Sequence, residues 1–109
     1  MKNMYADLVQ SGLSTSPVLL NTPDDPTQAR TFYTTDTQAK YVWNPVALAW
    51  QLHYQVKPVT VANLPTVGKI AGSEAIVTDA TAPTKGSTLT GSGAVLTGAI
   101  WDGAAWRAS

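Results

Sequence analysis

The chain has 109 residues, with seven basic and seven acidic side chains and no cysteine. Charged residues make up 13% of it, about half the usual share of roughly 25%. No basic stripe exists for phosphate contacts, so nucleic acid is not an expected partner. The lack of cysteine excludes a disulfide framework, a thiolate metal site and a cysteine nucleophile. No apolar run approaches the ~18 residues of a membrane span, and Met1–Asp7 lacks the apolar core of a signal peptide. A soluble product made in the cytoplasm is expected, with no membrane partner. The length suits one domain, or two units of ~50 residues that would each be marginal alone.

Residues 1–29 read as an N-terminal arm or anchor. Asn3 is placed to cap a short helix from Met4 to about Gln10, with Met4, Tyr5, Leu8 and Val9 on one face. Ser14–Pro17 breaks the chain, Val18-Leu19-Leu20 reads as a short strand, and Asn21–Pro26 is a turn cluster. The apolar residues Tyr5, Leu8, Val18, Leu19 and Leu20 are the candidates for anchoring the arm on a partner or sister subunit.

Residues 30–62 form a first β-hairpin unit. Thr31–Thr34 and Lys40–Trp43 are β-branched and aromatic strands around a polar turn at Asp36–Gln38. After Asn44-Pro45 a third strand starts near Leu48. There Leu52, Tyr54 and Val56 alternate with His53, Gln55 and Lys57, which predicts one apolar face. Residues 63–109 form a second unit. Glu74–Thr78 is a strand, Asp79–Thr81 a turn, and 82–93 a Ser/Thr/Gly-rich loop of the length that is often functional or mobile. Ala94–Thr97 and Ala99–Trp101 are strands parted by Gly98, and Asp102-Gly103 signals a two-residue hairpin leading to Ala105–Arg107.

The halves repeat one another. Tyr33–Thr37 matches Ile76–Ala80 as strand, Thr, Asp, turn. Trp43-Asn44 with Ala49-Trp50 matches Trp101-Asp102 with Ala105-Trp106. The expected fold is therefore all-β, a small antiparallel sandwich or barrel-like module of two similar hairpin units with at most one short helix. One compact domain is favoured over two. Each indole has roughly 150–250 Å² to bury, so Trp43, Trp50, Trp101 and Trp106 are candidates for packing or an interface. Exposed, they would instead form a platform for sugar rings.

The stretch Ala75–Thr84, followed by Trp101-Asp102-Gly103-Ala104-Ala105-Trp106, resembles a C-terminal segment of tailed-bacteriophage tail-fibre, spike and other surface proteins. Leu64-Pro65-Thr66 leading into it is also similar, and the likeness covers roughly 63–109. The resemblance implies a virion component: a head decoration or spike, a neck or tail accessory, or a fibre adaptor. It implies homo-oligomers, trimers favoured, and other virion proteins as partners. It implies no catalytic residue. The alternative is a module that binds host-surface glycan.

Enzyme chemistry is not expected. His53 is the only histidine, on the polar face of its strand, and Glu74 is the only glutamate. Neither has an evident catalytic partner in sequence, and no spacing suggests a metal or a cofactor.

Overall fold

Strands rich in β-branched and aromatic residues alternate their side chains between two faces, and a sheet that buries one face satisfies that pattern. The computed structural model describes residues 9–109 and shows a nearly all-β protein. Its strands are β1 (Val9–Gly12), β2 (Arg30–Thr34), β3 (Ala39–Asn44), β4 (Ala49–Gln55), β5 (Lys69–Ala80), β6 (Val95–Trp101) and β7 (Trp106–Ala108). They form one seven-stranded sheet in chain order. β1 with β2, and β4 with β5, are parallel; the other pairs are antiparallel.

Two apolar clusters lie on the inner face. The first gathers Phe32, Tyr41, Trp43, Trp50 and Leu52 with Leu19 from the N-terminal segment. The second is built from Leu64, Val77 and Leu89 around small alanines of β5, β6 and β7. Trp106 packs against both, so one indole joins the two cores.

Several local expectations change. The helix expected over Met4–Gln10 lies mostly outside the described residues, as do Tyr5 and Leu8; its last two residues, Val9 and Gln10, are strand. Val18–Leu20 is a 3-10 turn rather than a strand. Ser16 caps it by accepting from the Val18 N–H at 3.3 Å, and Pro17 supplies the fixed φ of a first turn.

On β4 the simple alternation fails. Lys40 pairs with Tyr54 but Tyr41 pairs with Leu52, so His53 is the extra residue of a bulge. The slip turns Tyr54 outward and buries Gln55, whose amide nitrogen donates to the Lys57 carbonyl at 3.3 Å. Asp79 and Ala80 extend β5 instead of turning, and β6 runs unbroken through Gly98. A Cβ at Gly98 would meet only the side chain of the exposed Ser109.

Candidate functional site

The four tryptophans sit in two equivalent hairpins. Trp43 lies directly opposite Trp50, and Trp101 directly opposite Trp106. Both pairs are edge-to-face, with ring centroids 5.8 Å and 5.6 Å apart. That is the geometry the ring quadrupoles favour. An Asx side chain builds each turn. Asn44 Oδ1 accepts from Val46 N and Ala47 N at 2.9 Å and 3.1 Å, and Asp102 Oδ1 accepts from Ala104 N and Ala105 N, each at 2.7 Å. Four residues, 102–105, separate the second tryptophan pair, so Asp102-Gly103 opens a longer loop than the two-residue turn expected.

The repeat extends to a feature that the sequence did not announce. In the first unit Gly12 pairs with Thr34, the Thr35 N–H donates to Gly12 O at 2.8 Å, and Ser14 N donates to Asp36 Oδ1 at 2.9 Å. In the second, Val59 pairs with Val77, Thr78 N donates to Val59 O at 3.0 Å, and Val61 N donates to Asp79 Oδ1 at 2.8 Å. Both aspartates thus stand two residues past the pairing point and close the same parallel crossing. The matching Thr-Asp motifs hinted at this equivalence; the single-residue bridge at Val59 left no pattern to read.

The tryptophans differ in what surrounds them. Trp43 and Trp50 are buried, and their indole N–H groups donate to Pro26 O at 3.0 Å and Asn21 O at 3.1 Å. These bonds fasten the segment 21–26 across the inner face. Leu19 is in the chain's own core and Val18 packs against it, whereas Leu20 is exposed. Trp101 and Trp106 are half-buried, and the Lys69 ammonium sits 3.8 Å from the Trp101 ring centroid, a cation–π contact. The four indoles therefore do not make one solvent-facing platform.

The loop 82–93 is a strap. Leu89 N donates to Trp106 O at 3.0 Å, Ala108 N to Ser87 O at 2.9 Å, and Gly86 N to Ala108 O at 2.7 Å. Covering β7 in this way leaves that edge unavailable for strand addition. Arg107 holds the arrangement from outside, donating to Asp102 Oδ2 at 2.5 Å, Thr88 Oγ1 at 3.2 Å and Gly86 O at 3.3 Å. Its guanidinium, with the Ala105 and Ala104 amides, holds the Asp102 carboxyl well below the usual carboxylate range. The Ser14 hydroxyl and amide do the same, less strongly, for Asp36. Burial, helped by Asp36, pushes the Tyr41 hydroxyl up.

Comparison with protein-family models, with curated proteins and with solved structures finds no match. Among the described residues, no group of three metal-ligating side chains is close enough to hold an ion, and no helix is long and apolar enough to cross a membrane. His53 is exposed at the β4 bulge.

Among the described residues, two exposed surfaces are candidates for contact with other molecules. At the β3–β4 turn, Val46 is 92% exposed and Leu48 61% exposed. Leu48 has φ +53°, a region unfavourable for a leucine, and its N–H is held by Asn44 O at 2.8 Å. Leu20, 74% exposed, shares a shallow recess with Leu48. The outer face of the sheet carries the second surface, a row running Ser11, Tyr33, Lys40, Tyr54, Glu74, Ile100 as consecutive cross-strand neighbours.

Proposed function

We propose that this chain is a non-enzymatic structural component of a tailed-phage particle that self-associates and docks on larger virion proteins. The observation that carries the docking reading is the exposed apolar tip at the β3–β4 turn. Val46 and Leu48 stand in solvent on a turn fixed by Asn44, with Leu20 beside them. Backbone strain combined with exposed aliphatic side chains is common at recognition loops. The motifs that drew attention in the sequence support the same reading. The paired tryptophans, Asn44, Asp102, Asp36 and Asp79 all hold turns and crossings, which is architectural work. The particle assignment rests on the resemblance of 63–109, which also favours three copies.

Light scattering on the full chain tests self-association, and gold-labelled antibody on purified particles tests location. A monomer absent from particles overturns the proposal. The replacement V46D/L48D should leave the fold intact and abolish incorporation. A glycan-binding role is the second reading, favoured by the exposed rings of Tyr33 and Tyr54 flanking Lys40 on the outer face. Chemical-shift titration with neutral oligosaccharides tests it.

A further inference from the structure

We infer that the outer face of the sheet is a two-fold interface between two copies of this chain, centred on Tyr54. This rests on the self-association part of the function proposed above and replaces its three-fold symmetry with a two-fold axis.

The inner face is covered by the chain's own segments: Leu19 with 21–26 over the first core, and Leu64 and Leu89 over the second. Among the described residues no segment covers the outer face, yet it displays apolar groups. Tyr33 is 40% exposed and Tyr54 37%, and Val56 stands exposed beside an open groove of about 430 Å³ that Tyr54, Glu74 and Ile76 also line.

The charges decide the occupant. Lys40 and Glu74 are the immediate cross-strand neighbours of Tyr54, one on each side. Two strand spacings put them about 10 Å apart, and neither has an ion-pair partner among the described residues. A positive and a negative group held symmetrically about a tyrosine match their own image under a two-fold axis that runs along the strand direction between the two sheets, directly above that tyrosine. Rotation about such an axis sets Lys40 of one copy over Glu74 of the other, twice, and stacks the two Tyr54 rings. The next step outward opposes Tyr33 to Ile100 of the second copy, an aromatic–aliphatic contact. An isologous interface demands this self-complementarity. Facing sheets cross at about 30°, so register matters most for the three central residues, where the complementarity is strongest.

Sedimentation equilibrium of the full chain, from micromolar to millimolar concentration, tests the inference. The unaltered chain should show a reversible monomer–dimer equilibrium. Lys40→Glu and Glu74→Lys each place two like-charge pairs across the axis, and each should weaken dimerisation roughly tenfold or more. Mixing the two variants opposes a copy carrying two lysines to a copy carrying two glutamates, and should yield a heterodimer. The double variant K40E/E74K should restore the original association. Amide spectra of each variant establish that the monomer fold is kept, since both side chains lie on the outer face. Association that ignores both single reversals overturns this interface while leaving self-association by another surface standing. A monomer at every concentration overturns both. A monomer whose Tyr33 and Tyr54 resonances shift with a soluble oligosaccharide overturns the interface in favour of a glycan surface.

Discussion

Replacing Trp106 with alanine should cost more than replacing Trp101, because among the described residues Trp106 alone packs against both cores. The ring is half-buried, so roughly 150 Å² of its surface leaves the interior, which at ~25 cal/mol per Å² is about 4 kcal/mol. Loss of the edge-to-face contact with Trp101 adds about 1 kcal/mol, and residual structure in the unfolded chain lowers the total somewhat. A net loss of about 4 kcal/mol follows, close to the range for large aromatic deletions. With a urea m-value of about 2 kcal/mol per M, the midpoint should fall by about 2 M. Far-ultraviolet circular dichroism is the suitable probe, since the mutation removes a fluorophore. The transition should also broaden, as the two cores lose the side chain that joins them. Trp101→Ala is the control: it removes the same ring pair and the Lys69 contact but touches neither core cluster, so it should cost less. Equal losses for the two variants, or an unshifted midpoint for Trp106→Ala, would refute the bridging role.

Four further outcomes follow from the geometry. Gly68 has φ +70° and an added Cβ would lie 2.6 Å from Trp50 O, so Gly68→Ala should lose about 2 kcal/mol or more by strain alone, read as a lower melting temperature. Asp79→Ala removes the acceptor for Val61 N and, at 3.3 Å, for Ser92 N, and should cost about 1–2 kcal/mol in urea titration, while Asp79→Asn keeps an acceptor and most of the stability. Asp102 has its folded-state pKa depressed by Arg107. Its contribution is therefore present above the unfolded value near ~3.9 and is lost as pH falls toward the folded one. Stability measured between about pH 5 and pH 2 should decline less steeply in Asp102→Asn. Arg107→Ala frees the strap, and hydrogen exchange should quicken at the amides of Gly86, Leu89 and Ala108 while β3 and β4 stay protected.

What could be read from the residues was local. Trp43-Asn44 and Trp101-Asp102 place an aromatic and a turn-forming side chain next to each other, and both partners of each pair lie within eight residues. The hairpins, their Asx turns and the all-β class follow from that proximity. The errors were non-local. The bulge at His53 is imposed by simultaneous pairing of β4 with β3 and β5, whose registers both slip there, and no alternation within 52–57 can reveal it. The strap at 82–93 lacks periodicity because it pairs through few residues, and Arg107, four residues past Gly103, carried the only chemical hint of what holds it. The apolar tip at Val46 and Leu48 passed as ordinary turn and strand residues, since exposure is not encoded in composition.

The double use of β4 explains why the two units behave as one sheet. In the first unit β2 takes its parallel neighbour from β1; in the second, β5 takes its own from β4 and the Val59 bridge. The closing strand of one unit is thus the opening strand of the next. Leu52 shows the sharing at a single residue: its N–H donates to Gly68 O at 2.7 Å, its carbonyl accepts from Ser73 Oγ at 2.5 Å, and its side chain is fully buried in the first core. Taking the two units apart would strip β5 of these partners and leave Ser73, itself buried, without its acceptor. Each half would then expose a sheet edge with unpaired backbone groups. Tandem repetition by a shared strand therefore gives two marginal units a joint stability that neither has alone, with Trp106 adding the side-chain contact between their cores.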